Sequence, residues 1–293
     1  MIEPCATADP SGQHISFRYI WTRAAIARAA LNDNHHVVAA ARNSNGIHDV
    51  LGGNTERLLP VTLDVTDGAA AEAAVAKAVD AFGRIDVLVN NAGYGQLGAF
   101  EEVSPDDIEK QFATNVFGLM NVTRAVLPVM RKQRSGYVFN MSSAAGYKGG
   151  DRYSIYAASK FAIGGFSESL SVELAEFGIH VTVVEPGYFR TDFLDSSSVR
   201  YGTRNIADYA TKSAAKRLQT FAYNHRQPGD PAKLGKALVT LAANANPPTH
   251  FPVGVDAIQL IQEKNAAVQM EADRWRELSV STAFSSERAH GKS

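Results

Sequence analysis

Cysteine is almost absent from this 293-residue chain, where Cys5 stands alone. One thiol cannot close an internal disulfide, so the fold has no covalent staple, as suits a reducing compartment. No apolar run approaches the roughly 20 residues that span a bilayer, and the N-terminus carries no signal-like apolar segment. Excess charge is missing too, with a formal net charge of −1 and no cluster of basic residues. That leaves no field to hold nucleic acid or an anionic membrane. No set of Cys, His and carboxylate residues has metal-ligand spacing, and His35-His36 reads as a solvated pair in a helix–strand turn. The expectation is a cytoplasmic protein without metal, nucleic-acid or membrane partners.

What the chain does have is apolar residues, 45% of the total, arranged in alternating blocks. That suffices for one large core. An Ala-rich helical pattern from Thr22 stops at Asn32-Asp33-Asn34, and a buried strand then ends at Arg42. Leu58–Leu63 reads as a strand and Gly68–Phe82 as a helix stopped by Gly83. VLVNNAG follows as another strand. Ser104-Pro105-Asp106-Asp107 is a helix start, since Ser caps, Pro suits the first turn and acids favour the positive helix end. That helix is expected to reach about Arg131, with Pro128 bending or ending it. Tyr137–Met141 is a strand, then comes a long helix to Gly178, then the strand IHVTVVEPG. Residues 188–227 are polar with weak helical patches and are assigned as a substrate loop. Pro228–Ala243 reads as a helix, FPVGVDA as a last strand, 256–278 as a closing helix and 279–293 as a loose tail. Strands alternating with helices predict an α/β fold, a single doubly wound parallel-sheet domain over 1–293.

The chemistry centres on Tyr156 and Lys160. Four residues apart on a helix, they share one face. A phenol beside an ammonium is a proton donor with an adjustable pKa, and the positive charge is expected to lower it. Ser143, at the end of a strand-like run, offers a hydroxyl that can hold a carbonyl oxygen.

With these residues in order, the chain resembles the classical short-chain dehydrogenase/reductase family. The matches are NNAG at Asn90–Gly93, Asn115, Ser143, Tyr156-x-x-x-Lys160, and Pro186-Gly187 with Thr191. NNAGYG and the FPVGVDA ending are most similar to members acting like 17β-hydroxysteroid or retinol dehydrogenases. The resemblance implies hydride transfer between a nicotinamide and a carbonyl or hydroxyl group of a small apolar substrate. It implies Tyr156 as proton donor, Lys160 tuning it and bonding the nicotinamide ribose, Ser143 orienting the carbonyl and Asn115 holding a relay water. It implies cofactor contacts at Asp64, Val65, Asn91, Ala92, Gly93, Pro186, Gly187 and Thr191 as well as Tyr156 and Lys160. Where NAD-binding members carry an acid, this chain has Ala41 followed by Arg42, and an arginine fork suits a 2′-phosphate, so NADP(H) is expected. A homodimer or homotetramer is the family's habit. Tyr94, Tyr147, Tyr188 and Phe193 are candidates for an apolar substrate pocket.

The departure lies at the start. The family's TGxxxGxG turn lets the backbone approach a pyrophosphate at a helix N-terminus. Here the matching stretch is about Ser16–Arg23, SFRYIWTR, without glycine. Residues 1–20 do not read as an apolar first strand, so the expectation is an atypical N-terminal strand and glycine turn, which leaves open whether the chain has its central strand and phosphate cradle. That opens an alternative, a catalytically impaired binding or scaffolding protein. Read one base later, however, the codons of this stretch permit Ser-Gly-Ile-Phe-Gly-Arg, and the glycine from Trp21 into Thr22 is forced.

Overall fold

The computed structural model describes residues 14–18, 21–53 and 56–284. Its main sheet contains β1 (His14–Arg18), β2 (His36–Ala41), β3 (Leu58–Thr62), β4 (Val87–Asn90), β6 (Gly136–Met141), β7 (Ile179–Pro186) and β9 (His250–Val253). These strands are all parallel, in the order β3-β2-β1-β4-β6-β7-β9. A second parallel pair joins β5 (Gly95–Leu97) to β8 (Val199–Tyr201). The helices are α1 (Trp21–Asn32), α2 (Ile47–Leu51), α3 (Gly68–Phe82), α4 (Pro105–Phe112), α5 (Gly118–Gln133), α6 (Ser154–Leu174), α7 (Ala207–Tyr223), α8 (Pro231–Ala242), α9 (Val255–Arg274) and α10 (Arg276–Val280).

A parallel sheet covered by helices on both faces needs strands that are apolar on both sides. β2 shows this directly. Val37, Ala39 and Ala41 enter one core with Ile26 and Ala27 of α1 and Leu234 and Leu238 of α8. Val38 and Ala40 enter the other, with Ala71 of α3, Val122 and Val126 of α5 and Leu170 of α6. Among the described residues no helix is long and apolar enough to cross a membrane.

The first strand, atypical in sequence, is present as β1. Ile15 pairs with both Val37 and Val87, so β1 lies at the centre of the sheet, between β2 and β4. The cause is tertiary. β2 and β4 are buried, and the backbone groups on their facing edges must be paired. The N-terminal segment supplies that pairing through its backbone, whatever its side-chain pattern. Tyr19 and Ile20, which follow, lie outside the described residues, as do residues 1–13 and 285–293.

The helix begun at Ser104 runs on to Gln133, close to the expected Arg131, with Pro128 inside it and a π turn at Ala113–Phe117. Pro128 is exposed, so the carbonyl that its missing N–H leaves over faces solvent. Residues 188–227 are more structured than a loop, since they contain β8 and the 17-residue α7. α7 is polar because it is tied down by polar contacts. Ser213 Oγ donates to Glu102 Oε2 at 2.6 Å, Tyr209 bonds the Glu101 carboxylate, and Arg217 donates to the Gly202 carbonyl at 3.1 Å. The FPVGVDA stretch divides between β9 and the first turn of α9.

Candidate active site

The parallel order brings the strand ends that follow β2, β3, β4, β6 and β7 to one edge of the sheet. In open α/β sheets ligands bind in the crevice beyond those carboxyl ends. A cavity of about 510 Å³ opens there. Its lining includes Asn91 and Gly93 after β4, Ser142 and Ser143 after β6, Pro186, Gly187 and Thr191 around the end of β7, and Tyr156 and Lys160 from α6. Residues far apart in sequence therefore share one wall.

Tyr156 is 8% exposed and Lys160 6% exposed. Burial pushes the Tyr156 phenol up to about 12, and its hydrogen bond with Ser143 only partly offsets this. The expected lowering by Lys160 is not what governs this arrangement. The Lys160 ammonium donates to the Met141 carbonyl at 2.7 Å and stands 5.9 Å from the centre of the Tyr156 ring. Desolvation of a fully covered phenol outweighs a cation held at that distance. Tyr156 is therefore protonated at neutral pH, the form needed to give a proton to a carbonyl oxygen.

The raised pKa has a stability consequence. The native phenol keeps its proton after the unfolded one, near pH 10, has lost it. The resulting stability is fully present below about pH 10 and is lost as pH rises toward 12. Tyr156→Phe cannot lose it, so the variant is expected to gain on the wild type above pH 10, by up to roughly 2–3 kcal/mol. Melting curves of both proteins from pH 8 to 11 test this, and a constant difference contradicts it.

The neighbouring loops are fixed by side chains. Ser142 Oγ donates to the Lys160 carbonyl at 2.9 Å, which ties the end of β6 to α6. Ser143 Oγ accepts from Ala145 N–H at 3.1 Å and faces the cavity with its remaining capacity. Asn115 lies fully buried in the π turn, a feature common at functional sites. Its Oδ1 accepts from Tyr94 N–H at 3.1 Å, and its Nδ2 donates to the Tyr94 carbonyl and to Ser159 Oγ, at 3.1 and 3.2 Å. Ser159 Oγ donates in turn to the Tyr156 carbonyl at 2.7 Å. Asn115 thus connects the strand end carrying Gly93 to the helix carrying Tyr156.

The positions expected to hold a dinucleotide are arranged along the same edge. Val65 is buried against α5, where a side chain on Gly118 would overlap it, and Asn121 Nδ2 donates to its carbonyl at 3.1 Å. Asp64 Oδ1 accepts from Thr66 N–H and Oγ1 at 3.0 and 2.9 Å. Gly187 passes so close to Asp256 that any side chain would overlap the carboxylate, which also accepts Tyr188 N–H at 2.7 Å. Thr191 Oγ1 accepts from Phe193 N–H at 3.2 Å. Arg42 is exposed just beyond β2. The described residues thus fit the nicotinamide and adenosine ends. The segment between β1 and α1 does not match, because no glycine occurs from residue 13 to residue 45.

Of the four aromatic candidates, Tyr188 and Phe193 line the cavity, and Phe193 lies 5.6 Å from Tyr156, ring centre to ring centre. Tyr94 and Tyr147 do not line it. Arg200 covers the Tyr94 ring, while Tyr147 donates to Asn265 Oδ1 at 2.7 Å. His35 bonds Asp33 and His36 packs on Phe82, so the pair is engaged rather than solvated. The sequence reading missed Tyr153, Leu194, Lys216, Gln219, Thr220, Tyr223 and Leu260, all on the cavity wall. The available signal was the 216, 219/220, 223 spacing of α7, one face of a helix.

The sequence pattern of the short chain dehydrogenase family matches residues 24–201, which begins just past SFRYIWTR. Oxidoreductase BOA17 of Botryotinia fuckeliana is 37% identical over 265 residues, covering 88% of this chain and 94% of that protein. A 3-ketodihydrosphingosine reductase of Bacteroides thetaiotaomicron is 39% identical over 201 residues, 69% of this chain and 74% of its own length. The solved structure of a short-chain dehydrogenase from Streptomyces avermitilis superposes with a TM-score of 0.85 at 34% identity, covering 94% of this chain and all of that one. With the Ser143, Tyr156 and Lys160 geometry in place at the strand ends, the chain belongs to the classical short-chain dehydrogenase/reductase family.

Proposed function

We propose that the chain is an NADP(H)-dependent oxidoreductase that interconverts a carbonyl and a hydroxyl group on a small, largely apolar substrate. The observation that carries this reading is the buried, protonated Tyr156 phenol, hydrogen-bonded to Ser143 on a cavity wall that also contains Gly93, Gly187 and Thr191. Bound there, the nicotinamide supplies or accepts the hydride. Arg42, Asp64, Val65, Asn91, Ala92, Gly93, Pro186, Gly187 and Thr191, with Tyr156 and Lys160, are the residues that hold it in this reading.

In reduction, Ser143 orients the carbonyl oxygen and opposes the negative charge that develops on it. Tyr156 gives that oxygen its proton as a general acid. Lys160 places a positive charge beneath the phenol and braces β6 through the Met141 carbonyl. Asn115 and Ser159 act as positioning residues that set the α6 backbone at Tyr156. The wall formed by Phe193, Leu194, Tyr188 and Tyr223 accepts the apolar body of the substrate. Family habit adds a homodimer or homotetramer. The steroid-like or retinoid-like subtype rests on NNAGYG, the long segment after Pro186-Gly187 and the FPVGVDA ending.

Two measurements test the reading. Purified protein, with NADPH or NADH supplied in large excess to offset the weak binding expected of the glycine-free segment, is expected to oxidise the cofactor in the presence of an apolar ketone. Absence of turnover across a ketone panel under those conditions contradicts the reading. Arg42→Asp is expected to weaken NADPH by about tenfold or more relative to NADH, because a phosphate partner becomes a ribose-type acceptor. Equal loss for both cofactors shows that Arg42 does not read the 2′-phosphate.

A further inference from the structure

The cavity wall carries two lysines. Lys160 is committed to the Met141 carbonyl. Lys216, half-buried on α7, has no hydrogen-bond or ion-pair partner for its ammonium among the described residues. Its own helix places no carboxylate beside it, since the positions three and four residues away are Ser213, Lys212, Gln219 and Thr220. The acid that also lines the cavity, Asp256, accepts Tyr188 N–H and forms no ion pair with Lys216. Beyond the C-terminal end of α7, Asp195 is bonded to Asn224 and paired with His225, and Asp192 lies in the same cluster.

Lys216 belongs to a stripe with Gln219, Thr220 and Tyr223, all on the cavity wall. Tyr223 meets Tyr188 edge-on, ring centres 5.1 Å apart, and Tyr188 lies close enough to Tyr156 to raise its pKa. The stripe therefore runs from beside the proton donor to Lys216, about 10 Å farther along the helix axis. α7 is tied to the body through Ser213 and Glu102, which keeps the stripe at a set distance. The cavity wall that carries this stripe also includes apolar and aromatic side chains, among them Phe193, Leu194 and Leu260.

We infer that Lys216 is a specificity-determining residue, and that the substrate class is a ketone whose apolar body ends in an anionic group, a carboxylate above all. The inference rests on the oxidoreductase reading of the same cavity and deepens it. The body is excluded from water by the aromatic wall while the carboxylate meets the unpaired ammonium, and a neutral ester of the same shape leaves that ammonium unmatched.

The test compares 9-oxodecanoate with its methyl ester, using wild type, Lys216→Met and Lys216→Arg, with NADPH and NADH each supplied in excess. The wild type is expected to prefer the acid by roughly tenfold in kcat/KM, mostly through KM. Met is expected to abolish the preference and Arg to keep most of it. Equal kinetics for acid and ester, or an unchanged ratio in Lys216→Met, overturns the assignment of Lys216. Failure of all proteins to turn over either ketone counts against the oxidoreductase reading instead. Calorimetric binding of the acid and the ester then decides the Lys216 inference without turnover. A preference for the acid that disappears in Lys216→Met supports it, and the same affinity for both compounds overturns it.

Discussion

Tyr156→Phe is expected to lower turnover by about 10²–10⁴-fold, the usual worth of general acid catalysis, while leaving the fold and NADPH affinity nearly intact. The substitution removes one oxygen from a ring that is 8% exposed and packed against Phe193. The ring's contacts survive, and the hydrogen bond with Ser143 is the interaction lost. The lost hydroxyl is also the group on the cavity wall best placed to give a proton to a carbonyl oxygen held by Ser143. Lys160 cannot replace it, because its ammonium is bound to the Met141 carbonyl. The loss should fall on kcat, since the phenol acts in the transition state. A variant that keeps more than about a tenth of the wild-type rate shows that Tyr156 is not the proton donor.

The second large effect concerns the cofactor. The chain as written is expected to bind NADP(H) poorly, and a form with Arg18→Gly and Trp21→Gly, the glycines of the shifted frame, is expected to bind at least about tenfold more tightly. A pyrophosphate bound at a helix N-terminus takes backbone N–H groups at close range, each charge-assisted bond being worth about 1.5–3 kcal/mol. No glycine stands at any position from 13 to 45, so the sequence offers no residue without a side chain for such an approach. The departure is also sharply bounded. The family pattern holds from residue 24 to residue 201, and β1 still pairs at the sheet centre, so the N-terminal mismatch ends at Arg23. Decay of an unused site would spread to Ser143, Tyr156 and Lys160, which are intact. A shifted reading frame confines the damage to one end, and it accounts for a glycine forced across Trp21 and Thr22. Fluorescence titration with NADPH measures the affinity, and tight binding by the unaltered chain overturns the expectation. Sequencing the transcript decides the frame, since an unbroken frame encoding SFRYIWTR leaves true degeneration of the cradle.

The readable parts of the sequence were those where local chemistry and tertiary demand agree. Gly68–Phe82 was bounded correctly because Asp67 caps it and Gly83, at a φ of 77°, ends it. The Tyr156–Lys160 spacing placed both side chains on one helix face, and α6 carries them into the same cavity. β5 and β8 escaped notice, being three residues each and stabilised only by pairing with one another across about a hundred residues of chain. α7 escaped because its anchoring is polar, through Ser213 and Arg217, and leaves a weak apolar pattern.

By itself the sequence determined the alternation of strands and helices, the family and the set of residues able to carry proton transfer, because each follows from local periodicity or motif spacing. Tertiary structure alone decided three things. It set a strand at the N-terminus, because the facing edges of β2 and β4 would otherwise be buried unpaired. It turned the expected lowering of the Tyr156 pKa into a rise, because burial outweighs a cation that is held by a carbonyl. And it placed Lys216 on the cavity wall, because that position depends on how α7 is fastened across Glu102 rather than on anything near Lys216 in the chain.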